Sequence, residues 1–345
     1  MDIDYKKICE SLLKGLPQRT SDVVEKRFGL KGGEGQTLEA IGEGYSITRE
    51  RVRQIAEEGF SKIRPRLKEH QKALQYFNGV LKSFGGLKRE DILLSFLGGE
   101  KFQNQVFFLL NLDGDFKRVA EGKDFYSFWA RKKEAANLAP KVVGVAVSNF
   151  EGVKQPLTLD KLFSNIKTDL AGIFGRKVNK NVFNSYLEIS KKIQANTEGK
   201  IGLKNWVEIN PRGIKDKAYL VLKKEQKPLH FSQVAILIGN SPFALQKKVH
   251  VATVHNELIK DQRFVLVGRG LYALKEWGYQ PGVVKDVISG VLKEAKTPLS
   301  REEIIEKVSA QRLVKENTIS LNLRDQNYFI RGADGRYKIN PVQEA

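Results

Sequence analysis

The stretch that decides the fold of the N-terminal part is residues 37–55, which read TLEAIGEGYSITRERVRQI. Thr37 and Thr48 each precede a run with helical spacing, so both are expected to cap short helices. Gly44-Tyr45-Ser46 lies between the two runs and is expected to form the turn. Two short helices joined by a tight turn have the geometry of a helix-turn-helix. A further helix is expected upstream, capped by Ser21 and ended by Gly29 in a left-handed conformation.

The last helix of this stretch has two chemically different faces. Its inward positions, at helical spacing, are Val52, Ile55, Ala56 and Gly59. The opposite face carries Arg49, Glu50 and Gln54. Arginine can bind guanine O6 and N7, glutamine can pair with adenine, and glutamate can accept a hydrogen bond from cytosine N4. An ordinary charged amphipathic helix would show the same periodicity, so the pattern alone leaves that alternative open.

Residues 16–66 resemble region 4 of the sigma-70-type transcription initiation factors, through residues 37–55 and the upstream Leu16-Pro17 and Arg27-Phe28-Gly29-Leu30. The resemblance implies a cytoplasmic helix-turn-helix that reads the −35 promoter element and docks on the flap of bacterial RNA polymerase. Arg49, Glu50 and Gln54 would then contact bases. The expected phosphate contacts here are Arg27, Thr37, Thr48, Arg51 and Arg53. Only fifteen residues precede Leu16, so we do not expect the regions by which that family binds the −10 element and melts DNA.

The charge of the chain favours a polyanionic partner. The 345 residues carry a formal net charge of +19, of which residues 1–72 hold only +3. The anion-binding surface should therefore extend over most of the chain, with nucleic acid preferred to a membrane. A uniformly solvated basic surface is the alternative. No stretch approaches the ~18 apolar residues of a membrane-spanning helix.

Enzymatic, metal and cofactor functions find no support in the sequence. One cysteine, Cys9, and four scattered histidines exclude a disulfide framework and a zinc cluster. The phosphate-binding loop, the nucleophile elbow and the His-Glu-x-x-His motif are absent from the sequence. We therefore expect a non-enzymatic protein without a metal, a cofactor or a small-molecule ligand.

The rest of the chain repeats itself with a period near 70 residues. A linking helix is expected from Leu67 to Phe84. The repeats then open at Gly86-Leu87, Pro156-Leu157, Pro228-Leu229 and Pro298-Leu299. They close with a leucine, a large apolar residue six positions later and a glycine six positions after that: Leu110-Phe116-Gly122, Leu187-Ile193-Gly199, Leu258-Phe264-Gly270 and Leu323-Phe329-Gly335. Such a fixed period indicates an array of like modules.

Each repeat reads as helices followed by a short β-hairpin, which is the pattern of a winged helix. The predicted fold is mainly α with small β wings (α+β): an N-terminal helix-turn-helix and then tandem winged-helix modules. The predicted domains are 1–72, 73–140, 141–210, 211–279 and 280–345. A small α+β core without DNA affinity is the alternative for any one module.

The third repeat has a likeness of its own. Lys227-Pro-Leu-His-Phe231 and the run from Thr253 to Leu274 resemble the HARE-HTH domain, a winged helix also found in the polymerase delta subunit, over residues 215–278. The resemblance implies contact with DNA or with polymerase. His230 and His255 are expected to be packing residues, because no acid or cysteine lies at metal-ligand spacing from them.

Basic residues in or beside the predicted wings are suited to phosphate contacts. They are Lys117, Arg118, Lys200, Lys204, Arg263, Arg269, Arg331, Arg336 and Lys338, together with Arg176, Lys177 and Lys180 before the last helix of the second repeat. The predicted function is a DNA-binding transcription regulator. The alternatives are a delta-subunit-like polymerase adapter that binds mainly protein, and a DNA-targeting subunit of a restriction-type system.

Overall fold

The computed structural model describes residues 3–242, 249–312 and 314–341. The protein is mainly helical with small antiparallel sheets, as predicted. It divides into two compact units, residues 1–205 and 206–345. Within the described ranges, no helix has both the length and the apolar character needed to cross a membrane.

Four helices begin the chain: α1 (Tyr5–Leu13), α2 (Gln18–Phe28), α3 (Leu38–Tyr45) and α4 (Arg49–Ile63). The two threonine caps are confirmed. The Thr37 hydroxyl accepts a hydrogen bond from the backbone N–H of Ala40 at 3.1 Å, and that of Thr48 accepts one from Arg51 at 3.2 Å. Both bonds satisfy amide groups that the first turn of a helix leaves without a partner.

Two local expectations in this region were wrong. Ser21 does not cap α2, because the helix begins three residues earlier and the carbonyl of Pro17 accepts hydrogen bonds from the amides of Thr20 and Ser21. Gly44 and Tyr45 stay inside α3, and the turn is made at Ser46, whose φ is 51°. Gly29 does end α2 in the left-handed conformation, with φ 63°.

The linking segment is split rather than continuous. A 3-10 helix covers Arg64–His70, with Pro65 in its first turn, and α5 (Gln71–Ser83) follows. Phe77 and Leu81 are fully buried and lie on the inward face of α5.

Four modules follow, and each of them ends with two helices and a two-stranded wing. The first contains β1 (Leu87–Arg89), α6 (Glu90–Gly98), α7 (Gln103–Leu112), β2 (Phe116–Val119) and β3 (Phe128–Arg131). The second contains α8 (Lys132–Val153), α9 (Leu159–Phe174), α10 (Lys180–Glu188), β4 (Ile193–Ala195) and β5 (Ile201–Leu203). The third contains α11 (Gly213–Glu225), β6 (Leu229–His230), α12 (Phe231–Gly239), α13 (Val251–Lys260), β7 (Phe264–Leu266) and β8 (Leu271–Leu274). The fourth contains α14 (Val284–Ala295), α15 (Arg301–Gln311), α16 (Glu316–Asn322), β9 (Phe329–Arg331) and β10 (Tyr337–Ile339).

The repeated leucine has one structural position in all four modules. It pairs antiparallel with the last strand of its own wing, in the pairs Leu87–Ala130, Leu157–Ile201, Leu229–Tyr272 and Leu299–Tyr337. This pairing ties the start of each repeat to its end. The glycines of the last three wings take the positive φ that their tight turns need, at Gly199, Gly270 and Gly335.

Part of the helix-turn-helix region shares a hydrophobic core with the first module, through Val24, Phe28 and Ile63. The residues that hold α2, α3 and α4 together form a separate cluster: Val23, Ile41, Val52, Ile55 and Ala56. The shared core is the larger of the two. Its buried members run from Tyr5 in α1 to Trp129 in β3. The ring of Phe28 in α2 lies 5.1 Å from that of Phe108 in α7, measured between centroids. The side-chain amide of Asn104 donates hydrogen bonds to two loop carbonyls of the helix-turn-helix region. The predicted division at residue 72 therefore lies between two modules that share part of their core.

The second module packs on the first in a similar way. The hydroxyl of Tyr186 in α10 donates to the carbonyl of Gly85 at 3.0 Å. The ammonium of Lys88, a residue only 5% exposed, lies 2.5 Å from a carboxylate oxygen of Glu188. The third and fourth modules have their own core clusters, around Val234 and Ile304 respectively.

Candidate nucleic-acid interface

The first two turns of α4 present the three predicted base-contacting residues to solvent. Arg49, Glu50 and Gln54 are all exposed. They are held in place by the opposite face, where Val52 is fully buried and Gly59 packs closely on α2. A Cβ on Gly59 would lie 2.9 Å from a methyl group of Thr20, so only glycine allows this close approach of α2 and α4.

The charged side chains of this face are paired with one another. Arg49 contacts Glu39 of α3 at 3.1 Å, and Arg53 contacts Glu50 at 2.8 Å. The guanidinium of Arg51 donates to the side-chain oxygen of Gln54 at 3.2 Å. Exposed ion pairs of this kind contribute only about 0–1 kcal/mol. DNA can therefore replace these partners at little cost.

The two glutamates of the face are held in the charged form. A hydrogen bond from its own backbone N–H lowers the pKa of Glu39, and the Arg49 side chain lowers it further. The hydrogen bond from the Arg53 side chain lowers the pKa of Glu50. Glu50 is thus an acceptor at neutral pH, as contact with a cytosine amino group requires.

The other residues predicted to contact phosphates near α4 are exposed as well. Arg27 donates to the carbonyl of Gln36 at 2.9 Å and so lies beside the start of α3. The hydroxyls of Thr37 and Thr48 are engaged as helix caps. Helix N-termini attract phosphates through their free N–H groups and dipole, so these two positions remain suited to a backbone contact. Arg51 and Arg53 extend the same face along α4.

The basic residues of the second module are exposed but not equivalent. Arg176 and Lys177 lie in the loop between α9 and α10. Lys180, the first residue of α10, forms an ion pair with Asp160 of α9. The rest of α10 is largely buried, so this module offers a loop rather than a helix face to a nucleic acid.

Arg263 in the third module is engaged within the fold. Its guanidinium contacts Asp216 at 2.8 Å and Asp261 at 2.7 Å, and the bond to Asp261 raises the pKa of Arg263. Two carboxylates balance its charge, so the geometry favours a structural role over the predicted phosphate contact. Arg269, at the tip of the same wing, is exposed.

The wing residues of the fourth module surround a groove. Arg331 lies in β9 and Arg336 just before β10, and both are exposed. The same groove is lined by Arg301 and Arg324, which the sequence analysis did not single out. Arg301 at the start of α15 and Arg324 just after α16 come close to the wing only when the module folds. Neither position carries a sequence signal that would have identified it.

His230 and His255 of the third module pack as expected. The ring of Phe231 lies 4.3 Å from those of both His230 and His255, measured between centroids. Across the described residues, no group of His, Cys, Asp and Glu side chains could hold a metal ion. Burial raises the pKa of the Cys9 thiol to about 12, so it is a packing residue at neutral pH.

Comparison with known proteins finds similarity in the helix-turn-helix region. Residues 12–65 match Sigma-70, region 4. The chain is 41% identical to the RNA polymerase sigma factor SigA of Bacillus sp. over 59 residues, which are 17% of this chain and 16% of that protein. It is 44% identical to SigA of Nostoc sp. over 55 residues, 16% of this chain and 14% of the relative. The chain thus matches about one-sixth of the length of these curated relatives.

The match supports a sigma-factor-like DNA-binding role in transcription, and it does so for this short region. Region 4 is a non-enzymatic domain that binds −35 promoter DNA and RNA polymerase in its family. The likeness of residues 215–278 to HARE-HTH stays a prediction.

Proposed function

We propose that this protein is a cytoplasmic, non-enzymatic transcription regulator that reads a −35-type promoter element with α4 and contacts bacterial RNA polymerase. One observation carries the proposal: the region that matches Sigma-70, region 4 exposes Arg49, Glu50 and Gln54 together at the start of α4. The N-terminal turns of a recognition helix are the part that enters the major groove. Arg27, Arg51, Arg53 and the caps of α3 and α4 would hold the adjacent phosphates.

Binding would exchange partners within one exposed network. Arg49 would leave Glu39 and donate two parallel hydrogen bonds to a guanine. Arg53 would turn from Glu50 to a phosphate, which frees the Glu50 carboxylate to accept from a cytosine. Both exchanges occur between groups that are more than half exposed, so neither exposes buried surface.

The test compares one base-contacting residue with a matched control on the same helix. A preferred duplex is first selected from a random pool by the full chain, and affinities are then measured on that duplex and on random DNA. Arg49→Ala should cost about 1–3 kcal/mol on the preferred duplex and little on random DNA. Lys62→Ala removes the same charge from the exposed last turn of α4 and should change neither affinity. Equal losses from Arg49→Ala on both DNAs would reduce Arg49 to a phosphate contact and overturn the assignment.

A second candidate function is that of a polymerase adapter whose third module binds protein. The observation that favours it is the surface of α12 and α13, where Ile236 and Ile259 are each 61% exposed. Large apolar side chains at such positions suit a protein partner better than a phosphate backbone. Under this hypothesis Ile236→Ser with Ile259→Ser should abolish co-purification with bacterial core polymerase and leave the DNA affinity unchanged. Retained co-purification would exclude the surface as the polymerase contact.

A further inference from the structure

The last helices of the four modules differ in what they offer to a ligand. In the first module α7 is buried against α1 and α2, and in the second α10 is buried against β1 and α8. In the third module α13 is partly exposed, but apart from Lys260 its exposed side chains are neutral or apolar, such as Val251, Asn256 and Ile259. In the fourth module, by contrast, the end of α16 and the wing form an arginine-rich groove.

The groove lies between the start of α15, the end of α16 and the β9–β10 wing. The volume of the groove is about 1150 Å³. The charged side chains that line it are Arg301, Arg324, Arg331, Arg336, Glu302 and Asp334. Four guanidinium groups thus face two carboxylates, and the arginines come from three separate elements of the module.

Three of the four arginines are held mainly by uncharged groups. Arg301 donates to the hydroxyl of Ser320 at 2.8 and 3.0 Å, and Arg336 donates to the carbonyl of Pro298 at 3.1 Å. Arg331 donates to a wing carbonyl at 3.4 Å and lies over the ring of Tyr337. A carboxylate does approach Arg336, but at 3.9 Å. The side chains are therefore positioned while most of their charge stays available to an anion.

Arginines elsewhere in the protein show the contrast. Arg263 lies between two carboxylates at 2.7 and 2.8 Å, and Arg118 forms two hydrogen bonds with the carboxylate of Glu90. Those pairs balance charge inside the fold. The groove of the fourth module instead accumulates positive charge, which is unfavourable without an anionic partner.

We propose that this groove binds the phosphodiester backbone of duplex DNA. The planar guanidinium matches two oxygens of one phosphate, and several arginines along a groove match a row of phosphates. Such contacts supply affinity without reading sequence. The choice of duplex DNA among polyanions rests on the proposed function, because the same chain carries the helix-turn-helix that matches Sigma-70, region 4.

The test measures how affinity depends on salt, with the full chain. The variant is Arg324→Gln with Arg331→Gln, which leaves Arg301 and Arg336 to hold α15, α16 and the wing together. The control is Lys293→Gln with Lys307→Gln, which removes the same charge from exposed positions on α14 and α15 outside the groove. Thermal unfolding checks that both variants keep the stability of the parent chain.

Losing two phosphate contacts should lower the slope of log K against log salt by about 2. The affinity should fall equally on the preferred duplex and on random DNA, and the control should keep the parent slope. An equal change of slope in both variants would indicate a diffuse basic surface and would contradict phosphate binding in the groove.

An unchanged slope in the groove variant, while Arg49→Ala still weakens binding, would refute phosphate binding in the groove and leave the proposed function intact. A parent chain that binds no duplex would overturn both.

Discussion

The contact between Phe28 and Phe108 should make the helix-turn-helix and the first winged-helix module unfold as one unit. The two rings meet edge to face at 5.1 Å across α2 and α7. Phe108 is fully buried and Phe28 is 8% exposed. Replacing either ring by alanine loses its burial and leaves a cavity, which costs about 3–5 kcal/mol.

The assay is guanidinium unfolding of residues 1–205, followed by circular dichroism and by tryptophan fluorescence. Trp129 is the one tryptophan in that range and lies in the first module, 1% exposed. Phe28→Ala changes the helix-turn-helix, yet it should lower the midpoint reported by Trp129 as much as the midpoint reported by circular dichroism.

A double-mutant cycle gives the coupling between the two modules. The double variant of Phe28 and Phe108 should be less destabilised than the sum of the single variants by about 1–2 kcal/mol, because each single change already removes the shared contact. Phe183→Ala in α10 is the control, since Phe183 is buried in the second module and should add to Phe28→Ala within about 0.5 kcal/mol. Additive effects at Phe28 and Phe108, with the Trp129 transition unmoved by Phe28→Ala, would show two independent folding units and contradict the predicted coupling.

Three further changes test other parts of the structure by equilibrium unfolding. Thr48→Ala should cost about 1 kcal/mol by removing the cap of α4, and Thr48→Ser should restore it; equal stability of both variants would contradict the cap. Glu188→Leu should lower the free energy of unfolding by about 3 kcal/mol because it leaves the buried Lys88 ammonium unpaired. The double variant Lys88→Met with Glu188→Leu should recover most of that loss, and a double variant as unstable as Glu188→Leu alone would contradict this. The hydrogen bond from the Arg263 side chain lowers the pKa of Asp261 in the folded state. The contribution of Asp261 to the free energy of unfolding is therefore complete above the ordinary carboxyl pKa near 3.9 and is lost as the pH falls toward the lower folded value. Asp261→Asn should make stability depend less on pH in the acid range, and an unchanged pH dependence would contradict this linkage.

Features that depend on neighbouring residues could be predicted from the sequence. Thr37 and Thr48 cap their helices because a hydroxyl three residues before an amide needs no distant partner. The wing of the fourth module forms where Gly335 allows the turn. Ser21 failed as a predicted cap because Pro17 is an earlier and competing start of the same helix.

Features that depend on residues distant in the chain could not be predicted from the sequence. Arg263 appeared to be a wing cation, but Asp216, 47 residues earlier, balances its charge. Arg301 and Arg324 line the same groove as the wing arginines, although they belong to other elements. For α7 a signal was present, since QNQVFFLLNL is apolar on most faces, which is typical of a helix buried on all sides.

Local sequence patterns are sufficient to specify the helix-turn-helix, the exposed face of α4 and the repeated helices and wings. These follow from caps, turns and periodicity, which act over a few residues. Tertiary packing, by contrast, sets how exposed the last helix of each module is, because α7 and α10 are mostly buried whereas α13 and α16 are mostly exposed. It also decided which arginines keep their charge available, because an ion pair depends on which carboxylate the fold brings within 4 Å.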